Sequence, residues 1–478
     1  MFIESIRDRL RQENALFLFC CGGLLAAVLS YAILTLPWLV PVGMLVGIFG
    51  TLFFFGRPTI ALTILFTARI LLDLMWWVPG SIMGLGLLAL FSGGVSALAA
   101  ILFLVEFRRL ERTPSLGAFL IFSLILGINC IQDGQLSTIL ELSTRLISPP
   151  LMLFLIGTFV CRRADIKRLM LFILFASAVA VSVSLYHLVT GQMNQLTLAG
   201  YNRLLGGYKN LRNHGMMMML IVTFAVFWWH QAKSMRMKGL FIGLAVASLS
   251  CMYLSYIRTA ILALVGFIIS YLYFTGQRRL LAGVVLMGSL GLFLSPEMQS
   301  RFEDLILVFT ISDDPLTNAN KLGSGRWGLW TASFWAYLDQ PVGRIFLGAG
   351  VGNHWELTRL AYNPFVEVQG GQVDTHNDYL YLLYQLGPIS LACYLYMQTQ
   401  VIRIGALLAH HARDPFYRHL GGLAASLSVA AIITNSISNG FVSRTTLGWL
   451  FWGIAGLAMA AWRDVQNTPP ERSQPALL

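Results

Sequence analysis

The stretch Asp374-Thr375-His376-Asn377-Asp378-Tyr379-Leu380 opens an apolar run that has the character of a membrane-spanning helix. It sets a histidine between two acids, at the boundary between a polar loop and that run. Polar and titratable groups at such a boundary are expensive and tend to be functional. His376 is therefore the first candidate functional residue, and the rest of the sequence must supply the groups that act with it.

The composition is that of a polytopic membrane protein. Of the 478 residues, 56% are hydrophobic and 12% are charged, and the mean hydropathy is +0.69. Soluble domains carry about 25% charged residues, so the composition excludes a string of ordinary soluble domains. The six cysteines lie in or beside apolar runs, without the spacing of a metal site or a disulfide framework. We expect an all-α membrane protein without a metal or a cofactor.

Apolar windows predict about fourteen transmembrane helices, within a range of 12–14, because a spanning helix needs about 20 apolar residues. The windows centre near residues 25, 47, 68, 96, 123, 153, 179, 221, 248, 267, 287, 387, 428 and 453. Basic residues fill alternate loops, which places the N-terminus in the cytoplasm by the positive-inside rule. The formal net charge of +11 is then mostly an orientation signal and does not indicate nucleic-acid binding.

The opposite, outer side carries longer connections at about 131–145, 191–213 and 296–375. The positive-inside rule accounts for basic residues on the cytoplasmic side only, so it does not explain the basic residues on the outer side. These are Arg203, Lys209, Arg212, Arg258, Arg301, Lys321, Arg326, Arg344, Arg359 and Arg444. His376 lies where the longest loop meets its next helix. The sequence therefore predicts a working site on the outer face.

Aromatic residues follow Arg326 at helical spacing, namely Trp327, Trp330, Phe334 and Tyr337. This pattern predicts an amphipathic helix that lies on the membrane surface. The aromatic side chains form either an interfacial belt or a wall that faces a sugar or a lipid. The later run Gly348-Ala-Gly350-Val-Gly352 indicates a tight turn rather than a dinucleotide loop, because no strand precedes it.

The residue types on the outer face can stabilise a phosphate leaving group. Arg258 lies between two helices with almost no loop, where it either snorkels to headgroups or binds phosphate through its planar fork. A neutral histidine can take a proton from an attacking hydroxyl, and nearby arginines favour the neutral form. Outside the cell there is no ATP, so the substrate must bring its own energy. A lipid-linked pyrophosphate sugar meets both demands.

Three sequence elements resemble the O-antigen ligase and Wzy-type polymerase superfamily. The first is His376-Asn-Asp-Tyr-Leu380, which continues through Leu382-Leu-Tyr-Gln-Leu-Gly387-Pro-Ile389. The others are Ser255-Tyr-Ile-Arg258-Thr-Ala, and Arg326-Trp-Gly-Leu-Trp330 leading to Leu347-Gly-Ala-Gly-Val-Gly-Asn353. The resemblance covers about residues 205–400. Tyr256 and Ile257 depart from the family pattern, in which many relatives have a serine directly before the arginine.

The resemblance implies a GT-C-like, metal-independent glycosyltransferase in the bacterial inner membrane. It would take a glycan from undecaprenyl pyrophosphate and transfer it to an acceptor hydroxyl at the periplasmic face. His376 would be the base or would orient the acceptor, and Arg258 and Arg326 would hold the pyrophosphate. The other expected substrate-binding residues are Arg203, Arg212, Asn377, Asp378, Trp327, Trp330 and Arg444, with Asp374 and Asp378 also able to orient the histidine.

The expected organisation has three parts. Residues 1–200 hold the N-terminal transmembrane helices, and residues 201–400 form the catalytic region with the periplasmic loop 296–375. Residues 401–478 hold the C-terminal transmembrane helices and a cytoplasmic tail. Short amphipathic helices are expected inside the loop.

Three acceptors are open within the superfamily. A polymerase extends a lipid-linked repeat unit of an exopolysaccharide or O-antigen, with a chain-length-determining copolymerase as a further partner. A ligase transfers the glycan to lipid A-core, and a protein O-oligosaccharyltransferase transfers it to a protein hydroxyl. The high helix count and the long outer loop favour the polymerase. The rival of a different class is a lipid-oligosaccharide transporter, but the chain has no evident repeat and its intramembrane charge is essentially Arg69 and Asp73.

Overall fold

The described part of the protein is helical. A computed structural model of the chain describes residues 57–74, 81–82, 85–86, 99–101, 103–104, 107, 115–133, 145–191, 203–208, 210–281, 283, 326–350 and 375–467. The strands within these ranges are Ser81–Ile82 (β1) and Leu85–Gly86 (β2), which pair antiparallel as one short hairpin. The expectation of an α-helical fold is confirmed for the described residues.

Twelve helices are described within these ranges. They are α1 Pro58–Asp73, α2 Leu116–Asp133, α3 Ser148–Phe159, α4 Arg163–Val189, α5 Leu211–Gln231, α6 Met235–Ser255, α7 Arg258–Phe274, α8 Arg326–Leu338, α9 Val342–Leu347, α10 Asp378–His411, α11 Pro415–Ile437 and α12 Thr445–Asn467. Ten of the predicted apolar windows fall in these helices, and those centred near 25, 47, 96 and 287 lie outside the described residues.

Six of the described helices, α4, α5, α6, α10, α11 and α12, are long and apolar enough to cross a membrane. Helices α1, α2, α3 and α7 are apolar but shorter. The protein is thus a multi-pass membrane protein, while the count of about fourteen spans stays a prediction. Helices α8 and α9 form inside the predicted loop 296–375, where short helices were expected.

Short polar side chains cap the N-termini of several of these helices. Asn210 caps α5, Ser234 caps α6, Asn377 caps α10 and Asp414 caps α11, each by accepting a backbone N–H from the first turn. Such caps satisfy donors that have no partner within the helix. Polar residues between apolar runs therefore set where the helices start.

Close helix packing builds the bundle around α10 and α11. A Cβ at Gly405 would lie 2.7 Å from the Gly421 carbonyl oxygen, and one at Gly421 would lie 2.5 Å from the Gly405 oxygen. Small residues allow this approach of two backbones, which is the usual way that helices associate in membranes. Helix α7 packs against α11, α5 against α6, and α3 against α12.

The helices end in two layers with different chemistry. At one end, Arg163 of α4 forms an ion pair with Asp414 at 2.7 Å, and Lys167 lies over the Phe416 ring. At the opposite end, α5, α7, α8, α10 and α12 begin while α6 and α11 finish. We call this second layer the histidine end, because it contains His376.

A break in α10 receives the segment that follows α9. Gly387 has φ 74° and Pro388 follows it, so Pro388 has no N–H to donate to the Tyr384 carbonyl. The Ala349 N–H donates to that carbonyl instead, at 2.8 Å. Gly348 and Gly350 also have positive φ, which agrees with the tight turn expected there. The break therefore docks the 348–350 segment on α10.

We predict that Gly387→Ala lowers the free energy of unfolding by about 1–3 kcal/mol, because φ 74° and ψ 174° form a region that only glycine adopts readily. A Cβ there would also meet the Phe346 carbonyl oxygen. The matched control is Gly127→Ala in α2, where a Cβ meets nothing within 4 Å. Thermal unfolding in detergent measures both changes. An equal melting temperature for the two variants would contradict the docking role of the break.

Candidate functional site

His376 lies just before α10 in a left-handed backbone conformation, with φ 52°. Histidine is one of the few residue types other than glycine that are enriched in this conformation. The Trp330 Nε1–H donates to the Thr375 carbonyl at 2.9 Å, and Asn377 Nδ2 donates to the Ser436 carbonyl at 2.8 Å. Asn377 Oδ1 also accepts from the first turn of α10. The backbone of His376 is therefore held from both sides.

Arg212 reaches the imidazole ring from the first turn of α5. Its Nη1 lies 3.0 Å from His376 Nδ1, and its Nη2 lies 3.1 Å from His376 Nε2. A neutral imidazole accepts at one of its two nitrogens, whereas an imidazolium has no acceptor. The contact with a cation therefore favours the neutral ring, which is the form that can take up a proton.

Helix α5 can approach the next pair of helices because it carries Gly215. A Cβ there would lie 3.0 Å from Ser255 Oγ and 3.0 Å from the Ile257 Cβ. Ser255 ends α6, and Tyr256 caps it with φ 56°, so that α7 begins at Arg258. This tight junction sets Arg258 in the same layer as Arg212.

Arg326 is the first residue of α8 and is partly buried. Its Nη1–H donates to the Ile437 carbonyl at 2.7 Å. Burial lowers the pKa of Arg326 from its ordinary value, and the positive charge of Arg258 lowers that pKa further. The two guanidinium groups therefore feel each other's charge at the histidine end.

The three arginines occupy unfavourable places for a cation. Arg258 and Arg326 are the first residues of α7 and α8, and Arg212 is the second residue of α5. Helix N-termini carry partial positive charge and stabilise anions rather than cations. Guanidinium groups and helix ends together produce a strongly positive region beside His376. This arrangement suits an anion such as a phosphate or pyrophosphate.

The remaining predicted site residues lie around this region in different ways. Trp327 is 53% exposed, whereas the indole of Trp330 is engaged with Thr375. Leu204, next to Arg203, donates its N–H to the Leu254 carbonyl near the end of α6. Arg444 directly precedes α12 and is partly buried. Lys209 and Asp374 lie outside the described residues.

The structure shows which backbone groups the Asp378 side chain binds, while its expected contact with substrate stays a prediction. Its side chain is buried, and its Oδ2 accepts the N–H groups of Gly440 at 2.7 Å and Val442 at 3.2 Å. Asn377 likewise uses its amide on the cap of α10 and on Ser436. Both side chains bind the protein itself at the histidine end.

The backbone contacts of the segment that ends α11 and leads to α12 were missed from sequence, although Arg444 within this segment was predicted as a site residue. We call residues 436–444 the α11–α12 turn, and its first two residues are the last two of α11. The turn supplies backbone carbonyls to Asn377 and Arg326 and backbone N–H groups to Asp378. Backbone groups leave no pattern of their own in a sequence. The nearest signal was the cluster Ser436-Ile-Ser438-Asn439-Gly440, whose residue types are common in turns.

In the part of the chain that the structure describes, no group of three or more His, Cys, Asp and Glu side chains could hold a metal ion. The guanidinium groups at the histidine end have the chemistry to bind an anion.

The fold and the site define a multi-pass membrane protein with a cluster of arginines beside one histidine. Residues 243–395 match the model of a protein family described as O-antigen ligase. The match takes in Arg258, Arg326 and His376, so the resemblance to the O-antigen ligase and Wzy-type polymerase superfamily is confirmed for this part of the chain. No curated protein matches the chain significantly.

We predict that Trp330→Phe weakens the hold on the backbone before His376, because it removes the donor to Thr375 while keeping an aromatic ring. The net cost of one such bond is about 1 kcal/mol. Amide hydrogen exchange of a peptide covering 375–380 should become faster. The matched control is Trp335→Phe on the same helix, whose side chain is 60% exposed. Unchanged exchange in Trp330→Phe would show that the indole does not hold this segment.

Proposed function

We propose that this protein is a glycosyltransferase of the bacterial inner membrane, which moves a glycan from undecaprenyl pyrophosphate to an acceptor hydroxyl at the periplasmic face. The observation that carries the proposal is the convergence of Arg212, Arg258 and Arg326, all at helix N-termini, beside His376. The coarser assignment, an O-antigen ligase or polymerase type of function, follows from the family match.

In the proposed reaction, an acceptor hydroxyl oxygen attacks the anomeric carbon of the donor sugar. The bond from that carbon to the pyrophosphate oxygen breaks, and its electron pair leaves with undecaprenyl pyrophosphate. Arg258 and Arg326 take up the developing negative charge together with the N-termini of α7 and α8. The hydroxyl proton passes to His376 as general base. Direct displacement of this kind inverts the anomeric centre.

Arg212 has a supporting role in the proposed mechanism. Its contacts of 3.0 and 3.1 Å orient the imidazole ring, and its charge favours the neutral form that can accept the proton. After transfer, the same charge promotes loss of the proton from the imidazolium. Arg212 thus keeps His376 neutral before the transfer and favours release of the proton after it.

Metal independence is proposed from the charges that the chain supplies. In many phosphoryl and pyrophosphate reactions a divalent cation neutralises the leaving group. In the proposed reaction, the guanidinium groups of Arg258 and Arg326, with Arg212 beside His376, take the role of such a cation. Arginine also offers five N–H donors in a fork that matches two phosphate oxygens at once.

Helix α8 is proposed to bring the lipid carrier to the site. Its buried face contains Leu329, Ser333 and Tyr337, whereas Trp327 and Trp335 are exposed. Aromatic side chains of this kind settle at the boundary between lipid and water. Arg326 begins the same helix, so the polar headgroup of a carrier at α8 would lie beside the arginine site. Arg203 and Arg444 are proposed as further contacts to the glycan.

For the acceptor we favour a second lipid-linked repeat unit, which makes the protein a polymerase for an exopolysaccharide or an O-antigen. A chain-length-determining copolymerase is then the expected partner. The alternatives are a ligase that uses lipid A-core and a protein O-oligosaccharyltransferase. The long predicted loop 296–375 supports the polymerase, because two lipid-linked chains need a large surface. The catalytic region 201–400 is proposed to be completed by the α11–α12 turn.

The acceptor can be identified in a deletion strain. A polymerase predicts the loss of high-mass polysaccharide, with single repeat units accumulating on the carrier. The readout is electrophoresis of the polysaccharide together with mass analysis of lipid-linked glycans. Long polymer that stays on its carrier would instead identify a ligase and contradict the polymerase assignment.

We predict that His376→Ala abolishes the glycan product in cells while leaving the protein level unchanged. Removal of a general base costs about 10²–10⁴-fold in rate. The control is His410→Ala, at the far end of α10, the helix that follows His376, where the side chain is exposed. Product of normal amount and length from His376→Ala would refute the assignment of the base.

A further inference from the structure

The α11–α12 turn joins the separate parts of the arginine–histidine site. Ser436 O accepts from Asn377 at 2.8 Å, and Ile437 O accepts from Arg326 at 2.7 Å. Arg326 and Asn377 come from different helices, α8 and α10, yet both bind consecutive carbonyls of one short segment. The distance between Arg326 and His376 therefore depends on where this segment lies. The segment is outside the family-matching residues 243–395.

Buried side chains fix the shape of the turn. Three consecutive backbone N–H groups donate to side-chain oxygens: Gly440 and Val442 to Asp378, and Phe441 to Asn435 at 2.8 Å. A Cβ at Gly440 would lie only 2.5 Å from Asn435 Oδ1, so the glycine allows the carboxamide to reach its neighbour. The turn is thus held by hydrogen bonds on successive residues.

Of the two side chains that bind the turn, Asp378 forms the stronger hydrogen bonds. A buried carboxylate is expensive unless hydrogen bonds satisfy it, and bonds to a charged acceptor are about twice as strong as neutral ones. Asp378 is also the first residue of α10, where the helix dipole favours a negative charge. Although Asp378 is close to His376 in sequence, its carboxylate binds the Gly440 and Val442 N–H groups of the α11–α12 turn.

We propose that Asp378 is a positioning residue for the transfer reaction. Its carboxylate fixes the α11–α12 turn, and the turn fixes Arg326 through Ile437 and Asn377 through Ser436. The leaving-group arginine and the base then keep one separation during the reaction. This inference rests on the proposed function, because it assigns to Asp378 the geometry of that same site.

The test is a double-mutant cycle between Asp378→Ala and Arg326→Ala. Initial rates are measured with the purified protein and undecaprenyl-pyrophosphate-linked glycan extracted from cells that lack the protein. Asp378→Ala should lower kcat by about tenfold or more and leave KM within about threefold, because small displacements of reacting groups mainly affect the chemical step. In the Arg326→Ala background, Asp378→Ala should lower kcat by less than about threefold, because the effects of mutations at coupled residues are not additive.

Two further variants separate the positioning role of Asp378 from a loss of folding. Asp378→Asn can present one oxygen to Gly440 and Val442 and should recover most of the lost kcat. Asn435→Ala releases Phe441 from another side of the same turn and should lower kcat without changing KM. Asn435→Ala replaces Asp378→Ala in the cycle if the latter does not fold.

The matched structural control is Asp414→Ala at the opposite end of the bundle. Asp414 caps α11 and pairs with Arg163, so its loss should lower the melting temperature but leave kcat unchanged. Equal effects of Asp378→Ala in both Arg326 backgrounds would overturn the positioning role. Absence of transfer by the wild-type protein would instead refute the proposed function itself.

Discussion

The arrangement of the histidine end has to overcome the repulsion between the positive charges of Arg258 and Arg326. Arg258 and Arg326 lie at the N-termini of α7 and α8, where the helix dipoles oppose a positive charge, and the charge of Arg258 lowers the pKa of Arg326. Other contacts must therefore fix the positions of these side chains. The Arg326 bond to Ile437, the Asn377 bond to Ser436 and the bonds of the Asp378 carboxylate to Gly440 and Val442 fix the backbone around these side chains. In the proposed function, this positive region receives the negative charge of the leaving group.

The backbone of α10 couples this site to the rest of the bundle. The bond from Ala349 to Tyr384 exists because Pro388 cannot donate there, and it fixes the segment that follows α8 and α9. Trp330 of α8 then reaches Thr375, the residue before His376. The Trp330–Thr375 and Ala349–Tyr384 bonds thus fix the position of α8, which begins with Arg326, relative to His376. The family-matching region contains both contacts.

Sequence patterns predicted much of the fold because apolar length is visible in a sequence. Ten predicted windows became helices, and the aromatic spacing after Arg326 predicted α8. The spacing also grouped Tyr337 with Trp327, whereas the structure buries Tyr337 and exposes Trp327. His376, Arg258 and Arg326 were identified as one group through motifs and topology. The ring contact of Arg212 and the turn beyond residue 435 were not, since they join distant residues through geometry and backbone atoms. Asp378 was noticed for its charge, but only its burial shows what it binds.

The most direct test of the anion site is a binding measurement on the purified protein. Affinities for undecaprenyl pyrophosphate and undecaprenyl monophosphate are compared, at low and high salt, for the wild type and for the Arg258→Ala/Arg326→Ala double variant. We predict tighter, salt-sensitive binding of the pyrophosphate lipid by the wild type, because a charge-assisted bond contributes about 1.5–3 kcal/mol. The double variant should lose this preference. Equal affinity of the wild type for the two lipids, or an unchanged preference in the double variant, would refute the proposed pyrophosphate site.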